Sequence, residues 1–424
     1  MMLNRIWLRM INRFKELWKF KIFKYTVVIH VGYFILSLVL TLIFLRDRND
    51  FLVYYKVGQQ VLTDINELYT TTNNWPFRYL PISALYFVPF YLIGFDLGFV
   101  VFNSINLVLN ILISIILYKI VILVRRDDHE KGDRRIILYI CLYMISLPQL
   151  FNFILGQINQ YVTLLILLSL FIYLKNSGIK WDLIASIVLG VSIMIKPITI
   201  FMIPFLIVIH FDIQNKKLTF SFTKSFVRLI GMALPLSLNF IMFIVYPNLL
   251  EGFIGANFTS SDPSQINHSF SLTKLIINFL YFIQFNKSQV LSIQMPLFLI
   301  ILLIISIFAF ISFSTRNQIK YSLIYGYSLG ILIMFLCYFD SWDHHLLNFT
   351  PLLIIIIFNL PSNSDLTKKI IKPSFYFLSF LDLAFMGIFF LTKKFFPFNF
   401  ASTIFLILTF YGLIKYNTFK NNKQ

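Results

Sequence analysis

Long apolar runs with almost no charge recur along this chain and constrain its fold more than any other feature. They fall at 25–45, 99–123, 136–151, 160–174, 182–195, 197–210, 229–246, 289–313, 321–338, 346–360, 374–391 and 400–415. A hydrocarbon core of about 30 Å is crossed by roughly 20 apolar helical residues. Only helices or closed barrels satisfy their backbone polar groups there. Charged residues make up 13% of the chain, and Phe alone occurs 50 times. A soluble domain carries about 25% charged residues and has no interior large enough for so much aromatic surface. The expectation is an all-α polytopic membrane protein with about twelve transmembrane helices in a single membrane domain over 1–424. The segment 81–95 is apolar but short, and reads as an interfacial or re-entrant piece.

The net charge is +18. Nucleic-acid binding would need the basic residues on one soluble face. Here they sit in short loops between apolar runs, which is the positive-inside pattern, so no nucleic-acid partner is expected. Orienting the runs by their Lys and Arg places both termini in the cytoplasm of a multi-pass cell-membrane protein. Counting 81–95 as a full crossing would move the loop RRDDHEKGDRR outside and weaken that bias. The N-terminal stretch MMLNRIWLRMINRFKELWKFKIFKY is basic and amphipathic. No small-residue cleavage site follows the first run, so it reads as an uncleaved first span. Cys141 and Cys337 both lie inside apolar runs, which excludes a disulfide framework or a CxxC metal site.

This orientation gathers the polar chemistry on the external face. A first loop spans 46–98 and a second large loop 247–288, with short polar turns at 152–159 and 339–345. Asp50 lies just beyond the first run, beside Tyr54, Tyr55 and Lys56. A carboxylate there can serve as a general base when its surroundings tune it; it reads equally as an end-cap or a partner for Arg46 or Arg48, and Asp47 competes with it. Gln157 and Asn159 head a span, where amides can bond sugar hydroxyls or simply cap a helix. Lys196 precedes Pro197 between two short apolar halves, so it is placed at the outer turn of a hairpin. It is either a phosphate-binding point charge or a snorkelling lysine. The turn YFDSWDHHLLNF holds His344 and His345 with Asp340, Trp342 and Asp343. Histidine can donate to a phosphate, and Trp342 can stack on a sugar or anchor at the interface. As a zinc pattern this spacing is weak; a divalent metal is conceivable and no cofactor is expected. The Ser/Asn/Thr-rich stretch 251–275 contains two glycosylation-acceptor patterns, Asn257-Phe258-Thr259 and Asn267-His268-Ser269. His30 and Asp382 lie inside spans and read as packed or paired core residues.

Five segments occur in one order: DFLVYYKVGQQVL…LYTTTNNWPFRYLPISALYFVPFYLI, LGQINQYVTLLILLSLF, GVSIMIKPITIFMIPFL, NHSFSLTKL and SWDHHLLNFTPLL. Together they resemble glycosyltransferase family 87, the polyprenol-phosphate-mannose-dependent mannosyltransferase-like membrane proteins of the GT-C class, over roughly residues 45–360. One departure is Tyr79-Leu80-Pro81, where relatives often carry Tyr-Pro-Pro. The resemblance implies a GT-C-type fold with interfacial helices in the first external loop. It also implies a polyprenyl-phosphate sugar donor, an Asp base matching Asp50, a family histidine matching His344 or His345, a basic residue matching Lys196 and a GQ-x-N turn matching Gln157 and Asn159.

The expected reaction is inverting transfer of a hexose, mannose by resemblance, to a lipid or glycan acceptor. Asp50 acts as base, Lys196 with His344 and His345 binds the donor phosphate, and Gln157, Asn159, Trp342 and Tyr54 hold sugar and acceptor. No G-x-x-x-x-G-K-[ST] nucleotide loop occurs. Two rivals share the many-spanned layout. A secondary transporter would place its site near the midplane between related halves. A lipid-oligosaccharide polymerase or ligase would take a preassembled glycan.

Overall fold

The computed structural model describes residues 14–70, 76–126, 129, 133–259, 269–316, 321–392 and 396–419. Among the described residues, five helices are long and apolar enough to cross a membrane: Lys21–Phe44, Phe95–Val124, Arg134–Leu155, Phe222–Val245 and Ser288–Ser314. The other apolar runs form shorter or interrupted helices, among them Asn159–Lys175, Pro197–Leu206 and Ser322–Cys337. The expected run 136–151 is broken where Ser146 turns extended ahead of Leu147-Pro148, and a second helix, Leu147–Leu155, begins there. Proline suits the first turn of a helix because no N–H is needed there.

The fold is all-α as expected, with one small antiparallel hairpin among the described residues, Ile209–Asp212 paired to Lys217–Phe220. Its turn is closed by Asp212, whose carboxylate accepts from the backbone N–H groups of Gln214 and Asn215. Such local side-chain bonding draws Asp out of helices and into turns.

The interior has two parts. Leu323–Cys337 and Thr350–Asn359 are buried at every position. Both sequences are apolar all round, which suits helices enclosed by others. The second part is aromatic. Phe51 and Tyr54 of the helix Asp50–Thr63 pack with Phe87, Phe90, Phe99 and Phe102, and Tyr54 stacks on Phe87 with ring centroids 4.5 Å apart. This packing seats the 50–63 helix against the short helices Pro81–Phe87 and Val88–Leu92, which fall in the stretch expected to be interfacial.

Close helix contact elsewhere depends on small residues. Gly190 and Gly231 face each other's helices, Ile179–Ile195 and Phe222–Val245. A Cβ at Gly190 would collide with the Met232 carbonyl, and one at Gly231 would lie 2.8 Å from the Leu183 carbonyl. Small residues let backbones approach in membranes, where packing carries the association. Gly231→Leu is expected to separate this pair at a cost of roughly 1–3 kcal/mol, read as a lowered thermal midpoint of the purified protein in detergent.

Candidate active site

The start of the 50–63 helix is fixed by Asn49. Its Oδ1 accepts from the Leu52 N–H at 2.9 Å, an N-cap. Its Nδ2 donates to the Leu45 and Arg46 carbonyls, each at 2.8 Å. One side chain therefore ties the end of the first apolar helix to the start of the next and sets Asp50 in the first helical turn, where the helix dipole favours a carboxylate. Arg46 pairs with Asp96 at 2.9 Å instead of with Asp50, and Asp47 lies exposed on the turn.

Gln157 is placed by the turn before it. Gly156 ends the helix Leu147–Leu155 in the left-handed region, at φ 64°. A Cβ there would stand 2.6 Å from the Phe51 Cβ and 3.0 Å from Phe99 Cε2, so both backbone and space require glycine. Lys196 is placed by the proline after it. The residue before a proline is excluded from the helical region, so Lys196 turns extended (φ −146°, ψ 109°) and ends the helix Ile179–Ile195.

The side chains then meet. Gln157 Nε2 donates to Asp50 Oδ2. Gln157 Oε1 accepts from the Tyr54 hydroxyl at 3.0 Å and from Lys196 Nζ at 3.4 Å. Lys196 Nζ also donates to Asn159 Oδ1 at 2.8 Å and lies 5.6 Å from the centre of the Tyr79 ring. Asn348 Nδ2 donates to Asn159 Oδ1 at 3.3 Å, and Thr163 bonds Asn348 Oδ1 at 3.0 Å, which ties the 343–348 turn to the Asn159–Lys175 helix. His344 and His345, on that turn with their rings 4.5 Å apart, both feel the Lys196 charge. Asp50, Tyr54, Gln157, Asn159 and Lys196 thus form one bonded cluster, with both histidines at its edge. Trp342 sits half-buried on the same turn.

Burial sets the electrostatics. The Asp50 carboxyl is pushed above its ordinary value by burial, against the pull of the Gln157 hydrogen bond and the charges of Lys196 and Arg78. The Lys196 ammonium is pushed down to about 7 by burial and by Arg78, against Asp50. Both histidines are held well below their usual range, first by burial and then by Lys196, so they are neutral at pH 7. His345 Nδ1 accepts from the Trp342 backbone N–H at 3.3 Å, which assigns its proton to Nε2.

Sequence reasoning passed over several members. Arg78 is bonded to Asp340 and keeps a quarter of its side chain exposed, and its charge reaches both Asp50 and Lys196. The Tyr79 hydroxyl lies 2.7 Å from that of Tyr54. Leu80, at the departure from Tyr-Pro-Pro, has φ −68° and ψ 148°, a conformation proline also adopts. Behind the cluster lie buried amides on three helices: Asn103, Asn106, Asn110, Gln149, Asn152 and Gln160. Asn152 Nδ2 and Asn106 Nδ2 both donate to the Gln157 carbonyl, at 3.0 and 3.2 Å. The available signal was the spacing 103, 106, 110, one polar stripe on an apolar helix.

Other residues stand apart. His30 bonds the Met144 carbonyl at 3.0 Å, and Asp382 accepts from Ser402. The Asn257 amide bonds the Arg78 and Phe253 carbonyls; Asn267 and His268 fall outside the described residues. Among the described residues no group of three or more His, Cys, Asp or Glu converges to hold a metal ion. A cleft of about 440 Å³, lined by Leu275, Ile276, Phe279, Phe282, Phe396 and Pro397, is wholly apolar and holds none of this chemistry.

Helices of a membrane-type fold thus bring one carboxylate, one ammonium and several amides into a single cluster. The family model of glycosyltransferase family 87 matches residues 77–338, more than half of the chain, and the chain belongs to that family of membrane glycosyltransferases. The matched interval includes Arg78, Gln157, Asn159 and Lys196, while Asp50, Tyr54, Trp342, His344 and His345 lie outside it. No curated protein and no solved structure gives a significant match.

Gly156→Ala should cost roughly 1–3 kcal/mol in backbone strain alone and displace Gln157. The expected result is a lowered thermal midpoint together with transferase activity reduced by an order of magnitude or more.

Proposed function

We propose that this protein transfers a hexose, mannose in the first instance, from a polyprenyl-phosphate donor to a lipid or glycan acceptor, with inversion, on the non-cytoplasmic face. In this reading the chain crosses the membrane about twelve times with both termini in the cytoplasm. The observation that carries it is the meeting of one carboxylate and one ammonium across a single amide, Asp50–Gln157–Lys196. That pairing suits a reaction with a proton to remove and an anion to stabilise.

Asp50 accepts the proton of the acceptor hydroxyl as that oxygen bonds to the anomeric carbon. The bond from that carbon to the phosphate oxygen breaks, and the electron pair leaves with the lipid phosphate. Burial raises the basicity of Asp50, which favours proton uptake. Lys196 and the permanently charged Arg78 face the growing negative charge from a site that excludes most water, where charge stabilisation is strongest. His344 and His345, being neutral, act as hydrogen-bond donors to phosphate and not as cations. The partly exposed side chains of Asp50, Arg78, Trp342 and His344 mark where donor and acceptor enter, with Trp342 against a sugar face.

Against a transporter stands the family match, which is to glycosyltransferases. A lipid-oligosaccharide ligase is separated by supplying a labelled polyprenyl-phosphate monosaccharide, which only the transferase turns over.

Asp50→Asn should lower transfer from that donor by at least about 10²-fold while the protein stays monodisperse; a wild-type rate would remove Asp50 from the mechanism. The pH profile has a worked sign. Asp50 must be ionised, so kcat/KM falls as pH drops through its raised value. Lys196 must be charged, so kcat/KM also falls as pH rises through about 7. In Lys196→Arg the alkaline limb should vanish, because arginine stays charged.

A further inference from the structure

Gln157 looks from the sequence like a sugar ligand, but the bonds its amide makes point elsewhere. The residue is 5% exposed. Its Nε2 donates to Asp50 Oδ2, and its Oε1 accepts from Tyr54 at 3.0 Å and Lys196 at 3.4 Å. Its backbone carbonyl takes Asn152 and Asn106, and its backbone N–H reaches the Asn152 carbonyl at 2.9 Å. The amide is also directional. Turning it over would set an oxygen against the Asp50 carboxylate and an NH2 against the Lys196 ammonium, two repulsive contacts in place of two attractive ones.

We propose that Gln157 is a positioning residue, a polar relay that orients the Asp50 carboxylate and joins it to the Lys196 ammonium, and that it acts on the transferred sugar only through them. The inference rests on the assignment of Asp50 as the base. It explains why two oppositely charged side chains on different elements do not collapse into a direct ion pair. An amide between them bonds both, leaves Asp50 Oδ1 for an acceptor hydroxyl and keeps Lys196 facing a phosphate. An intervening amide also couples the two groups, since a dipole aligned by one charge stabilises the other.

The test replaces the amide by a carboxylate of the same shape. In Gln157→Glu, Asp50 loses its donor and gains a like charge, which raises its pKa, while Lys196 gains a counter-charge, which raises its own. The other charged and titratable groups facing Asp50 (Arg78, Tyr54, Tyr79) and Lys196 (Arg78, His344, His345) are unchanged. Both limbs of the kcat/KM profile should therefore move to higher pH together, by about one unit or more. A direct sugar ligand adds a loss of its own: the pH-independent donor KM rises as well, and that result overturns the inference. If Gln157→Glu is inactive, the carboxyl stretch of Asp50 is titrated by infrared spectroscopy, identified as the band lost in Asp50→Asn. It should titrate at higher pH in Gln157→Glu than in wild type, and an unmoved band overturns the inference. Wild-type activity in Asp50→Asn is the distinguishable failure, since it removes the base itself and not its relay.

Discussion

Amides buried among apolar helices have only one another and nearby carbonyls to bond, and the candidate site depends on that constraint. Leaving one unpaired in such surroundings costs several kcal/mol by transfer scales and about 1–3 by mutation. Asn103, Asn106, Asn110, Gln149, Asn152, Gln157, Asn159 and Gln160 meet it by interlocking. Gln149 and Asn110 exchange bonds at 3.0 and 3.1 Å, Gln160 Nε2 reaches Gln149 at 3.2 Å, and Asn159 Nδ2 reaches Asn152 at 3.0 Å. Every side-chain oxygen among these eight except that of Asn106 accepts a bond. A network satisfied to this degree has few alternative arrangements, so the two residues at its open end, Gln157 and Asn159, are held as firmly as core residues.

That rigidity is handed to the charged groups. Lys196 bonds two members of the network, and Asp50 bonds one. The protein therefore holds an ammonium and a carboxylate close together, partly dehydrated, without closing them into one pair. Each is shifted toward its neutral form by burial and back toward its charged form by the other, which brings Lys196 to about 7 and raises the Asp50 carboxyl above its ordinary value. Arg78 with Asp340 forms a second pair close by, and the four charges sum to zero before any anionic donor arrives.

The readings from sequence succeeded where a residue's chemistry is local. Lys196 before Pro197 had to leave the helix, because the pre-proline backbone excludes it. The apolar runs announced membrane helices. The readings were silent where chemistry is shared. Arg78 sits in a polar loop and gains meaning only because Asp340, 262 positions later, lies beside it. Gln157 and Asn159 read as sugar ligands because amides at a helix start are competent for that; beside the nearby Asn152, Asn159 finds partners in segments 37 and 189 positions away.

The sequence by itself determined that this chain belongs in a membrane, which residues break its helices and which polar side chains are available for chemistry. These follow from length, hydropathy and the backbone rules of Pro, Gly and Asn, all of which act within a few residues. Only the tertiary structure decided which carboxylate faces which cation, that the histidines are neutral, and that the amides spend their hydrogen bonds on protein partners. Those outcomes depend on distance and dehydration, and both are set by how separate helices pack.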